Sequence, residues 1–181
     1  MNVSHAPLDM GGVKVTGEYT DKIFKHGHLV DTIEGHNIIV NSFLVLSMLL
    51  MKNEQNYAGI QYWAVGSGSP SWDGYNVPPD PSRTDTRLVS EIGRVAIDPN
   101  DIVFLDENYD ETVTPTNIIK IKAEFGANDC NGSWREFGLF GGNATSIVNS
   151  GYMIDKRNHP VLTKTSDMQI ERSLRLTIQF V

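Results

Sequence analysis

Glu136 has the surroundings most like those of a catalytic carboxylate. It lies in NGSWREFGLFGG (131–142), among side chains that belong in a hydrophobic core. At the two-residue period of a strand it shares a face with Trp134, Gly138 and Phe140. A carboxylate on such a face is either a general acid or base in an apolar pocket, or one half of a buried ion pair, because an unpaired buried charge is costly.

Two arginines interrupt apolar sequence in the same way as Glu136. Arg172 breaks the apolar face of QIERSLRLTIQF, and Arg94 lies between Gly93 and Val95. We predict a buried or half-buried ion pair between Glu136 and Arg172, with Arg94 as the substitute partner, because a bidentate arginine–carboxylate contact satisfies both groups. The catalytic alternative needs a second carboxylate at glycosidase separation or a metal ion, and no motif marks either. The sequence therefore predicts a protein that is not an enzyme, with no catalytic residue and no cofactor.

The histidines are the remaining candidates for chemistry. His26 and His28 lie two residues apart, on one face of a predicted strand, and His36 follows eight residues later. Three imidazoles can hold zinc or another transition metal. Because such a pair is more often simply exposed, these three are weak candidates, and no metal site is predicted.

A segment rich in proline and glycine is predicted to display aromatic side chains. It reads GSGSPSWDGYNVPPDPSR (66–83), and its prolines prevent a strand ladder from continuing there. It contains Trp72 and Tyr75, and Trp63 lies in the strand before it. These three are candidate contacts for a partner protein or a ligand, because Trp and Tyr are favoured at binding hot spots. The alternative is that Trp72 and Tyr75 pin the loop to the core.

The composition limits the classes of protein to which the chain can belong. A length of 181 residues allows a substantial core, and 40% hydrophobic with 20% charged residues is typical of soluble globular proteins. A net charge of -7 disfavours binding to nucleic acid or to an anionic membrane. The longest apolar run, FLVLSMLLM (43–51), falls well short of the roughly 20 residues that span a bilayer. No secretory signal pattern occurs at the N-terminus, so we expect folding in a cytoplasm.

The hydrophobic pattern predicts a mainly β fold. In NIIKIKAEF (117–125) and QIERSLRLTIQF (169–180), apolar residues alternate with polar ones, as in half-buried antiparallel strands. Turn signals separate such strands, which indicates an antiparallel, jelly-roll-like β-sandwich with long loops. One short helix is predicted around 42–52. It has no polar face, and such a helix is normally buried.

Four segments in fixed order carry a resemblance to a known group of proteins. They are GHNIIVNSFLVLSMLLMK (35–52), IQYWAVGSGS with RTDTRLVSEIGRVAI (60–69 and 83–97), NGSWREFGLFGG (131–142) and NSGYMIDKRNHPVLTKTSDMQIERSLRLTIQF (149–180). Together they resemble small tailed-bacteriophage virion proteins and tail-fibre modules. The chain departs from that pattern in a longer loop after Gly68 and in an additional N-terminal arm.

This resemblance implies a virion structural protein of the tail, baseplate or fibre apparatus. It implies an adaptor or host-surface-binding module that works by multivalent protein association and is made in the bacterial cytoplasm. The implied partners are other phage virion proteins, further copies in a symmetric homo-oligomer, and a host cell-surface glycan. The resemblance also implies that Glu136 and Arg94 are framework residues. We expect residues 1–34 to form an arm that docks to a neighbouring subunit by strand addition, and residues 35–181 to form the β-sandwich domain.

Three alternatives remain open at this point. Within structural proteins, the chain could be a capsid decoration or head-fibre protein, which differs from a tail protein in its copy number per particle. A carbohydrate-binding module could use Trp63, Trp72 and Tyr75 as stacking platforms. A hydrolase would need turnover that depends on Glu136, and we expect none.

Overall fold

The computed structural model describes residues 8–9, 12–74 and 77–180 of the chain. Within these residues it contains one α-helix, α1 (Ser42–Met51), and 3-10 turns at Pro70–Trp72 and Pro99–Asp101. The strands are β1 (Leu8–Asp9), β2 (Val13–Lys25), β3 (His28–Ile39), β4 (Ala58–Gly66), β5 (Glu91–Ala96), β6 (Ile102–Leu105), β7 (Glu111–Thr112), β8 (Ile118–Phe125), β9 (Gly132–Gly142), β10 (Tyr152–Lys164) and β11 (Met168–Phe180).

The strands form one continuous path of antiparallel pairs. Their order is β5-β4-β9-β10-β3-β2-β11-β8-β6-β7, and β1 pairs with the start of β2 beside this path. The sheet does not close on itself. The prediction of a mainly β, antiparallel fold with one short helix is confirmed, and the arrangement is sandwich-like.

Strand β3 links the two layers of this arrangement. Most of β3 pairs with β2, whereas its last two residues, Ile38 and Ile39, pair with β10. The hydrophobic core lies between the layer that contains β9 and the layer that contains β2, β11 and β8. Aromatic rings meet across this core, Tyr19 against Phe137 at 4.9 Å and Phe125 against Trp134 at 4.8 Å between centroids, both edge-on.

Helix α1 forms where it was predicted, but the prediction that it is buried is wrong. Only Leu46 of its ten residues is buried. Four large apolar side chains are exposed: Val45, Met48, Leu50 and Met51. The helix packs on one side against β10 and β4 and leaves its other side uncovered. In the described part of the chain, no helix is long and apolar enough to cross a lipid bilayer.

The expected division at residue 34 does not follow the sheet. Strand β2 lies in the interior of the strand order, between β11 and β3, and β3 itself runs across residue 34. Residues 13–34 are therefore part of the same framework as the rest of the chain and are not a separate arm. Residues 1–7 and 10–11, which also belong to the predicted arm, lie outside the described residues.

Strand β9 is buried on both faces from Trp134 to its end. One face lies in the core, where Phe137 and Leu139 pack. The long loop between β4 and β5 folds over the other face, where Leu88 packs in a second cluster with Phe140. The loop thus serves as a cover for the sheet, and this places the charged residue Glu136 in a closed environment.

Candidate functional site

Arg172 and Asp21 form a buried ion pair in the centre of the core. The Nε and Nη2 atoms of Arg172 donate to the two carboxylate oxygens of Asp21, both at 2.6 Å, and Arg172 is fully buried. The residues lie directly opposite each other on β11 and β2. The guanidinium lies 3.8 Å from the ring centroid of Phe137 and within 6 Å of three further rings, those of Trp63, Phe125 and Trp134. The bidentate contact and the aromatic rings together compensate a charge that would otherwise be costly to bury.

Two further buried titratable groups on β10 lie near this pair. Asp155 accepts hydrogen bonds from the Leu139 backbone amide at 3.0 Å and from the Asn37 side-chain amide at 2.5 Å. Burial raises the pKa of Asp155 to about 7. Burial lowers the pKa of His159 to about 4, and the charge of Arg172 lowers it further. Near neutral pH, therefore, His159 is uncharged and Asp155 is close to half protonated.

Glu136 fastens the loop between β4 and β5 to the sheet. Its two carboxylate oxygens accept hydrogen bonds from the backbone amides of Val89, at 2.9 Å, and Ser90, at 2.8 Å. The ammonium group of Lys156, which also contacts Asp85, lies 3.4 Å from Glu136. The predicted pairing of Glu136 with Arg172 is wrong, because each residue has other partners. The prediction that Glu136 is buried and held by structural contacts matches its surroundings.

Arg94 fastens a second loop and does not contact Glu136. It makes a bidentate contact to Glu91 on the same strand, at 2.6 and 2.8 Å. Its Nη1 atom donates to the carbonyl oxygens of Thr145 and Ser150, at 3.0 and 3.1 Å, in the loop between β9 and β10. The guanidinium lies 4.6 Å from the ring centroid of Phe140. The prediction that Arg94 substitutes for Arg172 as partner of Glu136 is therefore also wrong.

Replacing Glu136 by Gln is expected to lower the free energy of unfolding by about 2 kcal/mol, because charge-assisted hydrogen bonds are the strong ones and an amide can accept only one of the two. Amide exchange at Val89 and Ser90 should accelerate. Urea denaturation and hydrogen exchange measure the two effects. Glu124→Gln, a change at an exposed glutamate of β8, is the matched control and should stay within about 0.5 kcal/mol of the wild type. Equal stability of both variants would contradict the assigned role.

The predicted contact tryptophans are not available to a partner. Trp63 is fully buried in the core beside Arg172. Trp72 is 8% exposed, and Arg135 holds it in place by stacking on the ring at 5.8 Å and by donating to the Trp72 carbonyl oxygen. The prediction that these two side chains contact a partner or ligand is therefore wrong, and for Trp72 the alternative of a pinned loop describes the geometry. Tyr75 lies outside the described residues.

The three histidines do not converge on one point. His26 lies in the turn between β2 and β3, and His28 follows at the start of β3. His36 lies near the other end of that strand, paired with Glu18, roughly 26 Å from His28 at the rise of an extended chain. In the described part of the chain, no group of three or more His, Cys, Asp or Glu side chains is placed to hold a metal ion.

Sequence reasoning missed several charged residues that take part in these contacts. For Asp21 a signal was present, because it lies on the same face of β2 as the buried residues Tyr19 and Ile23. Lys156 and Asp155 belong to MIDK, where neighbouring side chains point to opposite faces of a strand that is buried on both. The alternation of apolar and polar residues does not reveal buried charges in such a strand, because neither face is exposed to solvent.

The fold and these contacts define a β-sandwich-like protein whose buried charges act within its framework. No family model matches the chain, and neither a curated protein nor a solved structure does.

Proposed function

We propose that the chain is a non-enzymatic structural protein of a tailed-bacteriophage particle. It belongs to the tail, baseplate or fibre apparatus, where it acts as an adaptor or host-surface-binding module by associating with other virion proteins and with further copies of itself. The four ordered sequence segments that resemble virion and tail-fibre modules support the choice of particle. The structural observation that carries the proposal is the uncovered apolar side of α1.

The exposed side of α1 has the properties of a protein contact surface. Val45, Met48 and Met51 are its large exposed side chains, spaced three residues apart, and the sequence of the helix contains no charged residue. A contiguous apolar patch on a soluble domain usually marks an interaction site. Methionine suits such a site because its flexible side chain adapts to the partner surface. The chain carries a net charge of -7, so an uncharged surface is where copies can meet with little electrostatic repulsion.

The buried ion pairs support a scaffold in which this surface is held rigidly. Asp21–Arg172 joins two strands of one layer, whereas Glu136 and Arg94 each attach a loop to the other layer. Each carboxylate in these contacts is engaged by a cation or by backbone amides. The charged residues embedded in the apolar strands thus position surfaces, which is what a structural module requires.

Replacing Met48 and Met51 together by Gln is expected to reduce incorporation of the protein into particles several-fold, because both side chains are largely exposed, at 59% and 75%, on the proposed contact surface. The free energy of unfolding of the isolated protein should change by no more than about 0.5 kcal/mol per substitution, as is usual at exposed sites. The measurement is the amount of each variant in purified particles after infection with a phage that lacks its own copy.

Val113→Gln with Phe180→Gln is the matched control, because it removes two exposed apolar side chains, 99% and 89% accessible, that lie outside α1. This control should enter particles normally. Normal incorporation of the α1 variant would contradict the role of the helix surface. Quantitative gel densitometry of the same particles separates the alternatives, because a capsid decoration or head-fibre protein is present in far more copies than a tail protein.

A further inference from the structure

The outward-facing side chains of four neighbouring strands form a polar groove on the side of the sheet away from the core. The strand registers place one row of these residues side by side across β3, β2, β11 and β8: His36, Glu18, Arg175 and Lys120. The neighbouring row lies two residues away on each strand, in the same direction across the antiparallel sheet. It consists of Glu34, Thr20, Ser173 and Lys122. The groove has a volume of about 730 Å³, within the range of small-molecule sites.

The floor of the groove is lined by hydroxyl groups. Thr20 and Ser173 lie directly opposite each other in the β2–β11 pair and have the shortest side chains of their row. Long charged side chains, among them Glu18 and Arg175, stand in the adjacent row. A hydroxyl both donates and accepts hydrogen bonds, so this floor matches a ligand that itself carries hydroxyl groups.

An exposed aromatic ring forms one wall of the groove. Tyr109 belongs to the turn between β6 and β7, and the residue is 53% exposed. The Arg175 guanidinium lies 3.8 Å from the ring centroid and occupies one face of the ring. The Asp106 side chain accepts hydrogen bonds from the backbone amides of Asn108 and Asp110, at 2.8 and 3.0 Å, and so holds the turn that presents the ring. A fixed aromatic wall binds the apolar face of a sugar at low cost in conformational entropy.

The charges along the groove favour an uncharged ligand. Each lysine and arginine of the two rows has a carboxylate partner: Arg175 pairs with Glu18, Lys120 with Glu111 at the rim, and Lys122 with Glu171. Glu34, which is exposed, adds one negative charge to these balanced pairs. A phosphate or a polyanionic chain would meet carboxylates as well as cations, whereas neutral hydroxyl groups can hydrogen-bond to both.

We infer that this groove binds a neutral saccharide, stacked on Tyr109 and hydrogen-bonded to Thr20, Ser173 and the charged side chains of the walls. The inference rests on the proposed function for its biological meaning, since it names the class of host-surface ligand. It differs from the carbohydrate-binding alternative predicted from the sequence, which relied on Trp63 and Trp72, both buried, and on Tyr75, which lies outside the described residues. The binding itself is a property of the isolated protein and is measured without particles.

The test is an array of neutral hexose and N-acetylhexosamine oligosaccharides probed with the purified protein, followed by titration of the best-bound saccharide. Saturable binding is expected. Tyr109→Ala and Thr20→Val should each weaken it at least tenfold, the first by removing the stacking surface and the second by removing one hydroxyl without changing the side-chain shape. Phe180→Ala, which removes an exposed ring elsewhere, is the control and should bind like the wild type.

The inference is overturned if the wild type binds no neutral saccharide, if it binds only acidic ones, or if either groove variant binds as tightly as the wild type. Thermal unfolding of each variant establishes that it is folded, which is expected because the two changed side chains are at least partly exposed. If the saccharide-binding test fails, the wild-type protein is still expected to be incorporated into particles. Failure of the proposed function would instead appear as absence from particles, with saccharide binding intact.

Discussion

Replacing Arg172 by Met is expected to lower the free energy of unfolding by about 3–5 kcal/mol, because it leaves the Asp21 carboxylate, 2% exposed, without its counterion. Asp21→Val should cost a similar amount by leaving the guanidinium unpaired among the aromatic rings. The double variant should lose much less than the sum, since replacing a buried pair by apolar side chains is often neutral or stabilising. Urea denaturation of the four proteins measures the coupling, expected to be about 3 kcal/mol or more.

A second cycle serves as the control for this pairing. Arg172→Met combined with Glu136→Gln should be additive within about 0.5 kcal/mol, because these residues share no partner. If the Arg172–Asp21 cycle is additive, the pair does not hold the core together. A large coupling energy between Arg172 and Glu136 would instead support the ion pair between these two residues that was predicted from the sequence.

The Asp155→Asn and His159→Leu variants are expected to show opposite pH dependences of stability. Burial raises the pKa of Asp155 to about 7, so between about pH 4 and 7 the native state holds a proton that the unfolded state has released, and stability falls as pH rises. Burial lowers the pKa of His159 to about 4, so between about pH 4 and 6.5 the unfolded state binds the extra proton, and stability rises with pH.

In the wild type these two contributions nearly cancel between about pH 4 and 6.5. Each corresponds to roughly 3–4 kcal/mol across its window, because one unit of pKa shift equals 1.36 kcal/mol. Without His159, stability should fall by roughly that amount as pH rises toward 7, and without Asp155 it should rise. The charged groups that act on Asp155 and His159, namely Arg172, Asp21 and Arg157, are unchanged in both variants. Parallel profiles for the wild type and both variants would contradict these assignments.

The strands that face solvent on one side could be predicted well. The alternation in residues 117–125 and 169–180 corresponds closely to β8 and β11, because one face of each lies on the core and the other is exposed. The exposure of α1 could not be predicted from its composition. An apolar helix is buried either by its own chain or by a partner, and local sequence does not distinguish the two.

The unusual residues of the site could be recognised, but their partners could not. Glu136, Arg172 and Arg94 are all charged side chains held in apolar surroundings, as their positions in the strands suggested. The partner of Arg172 is determined by the register between β11 and β2, which no local pattern reveals. The partners of Glu136 include two backbone amides, and backbone donors have no signature in the sequence.

The location of the protein in purified particles tests the proposed function most directly. If the chain is the virion protein proposed above, gold-labelled antibody against it, viewed by electron microscopy on purified phage particles that contain it, should decorate the tail, baseplate or fibres. Label confined to the capsid would instead assign the protein to the head of the particle. Absence of the chain from purified particles, with the protein recovered only from the lysate of infected cells, would contradict a structural role in the virion.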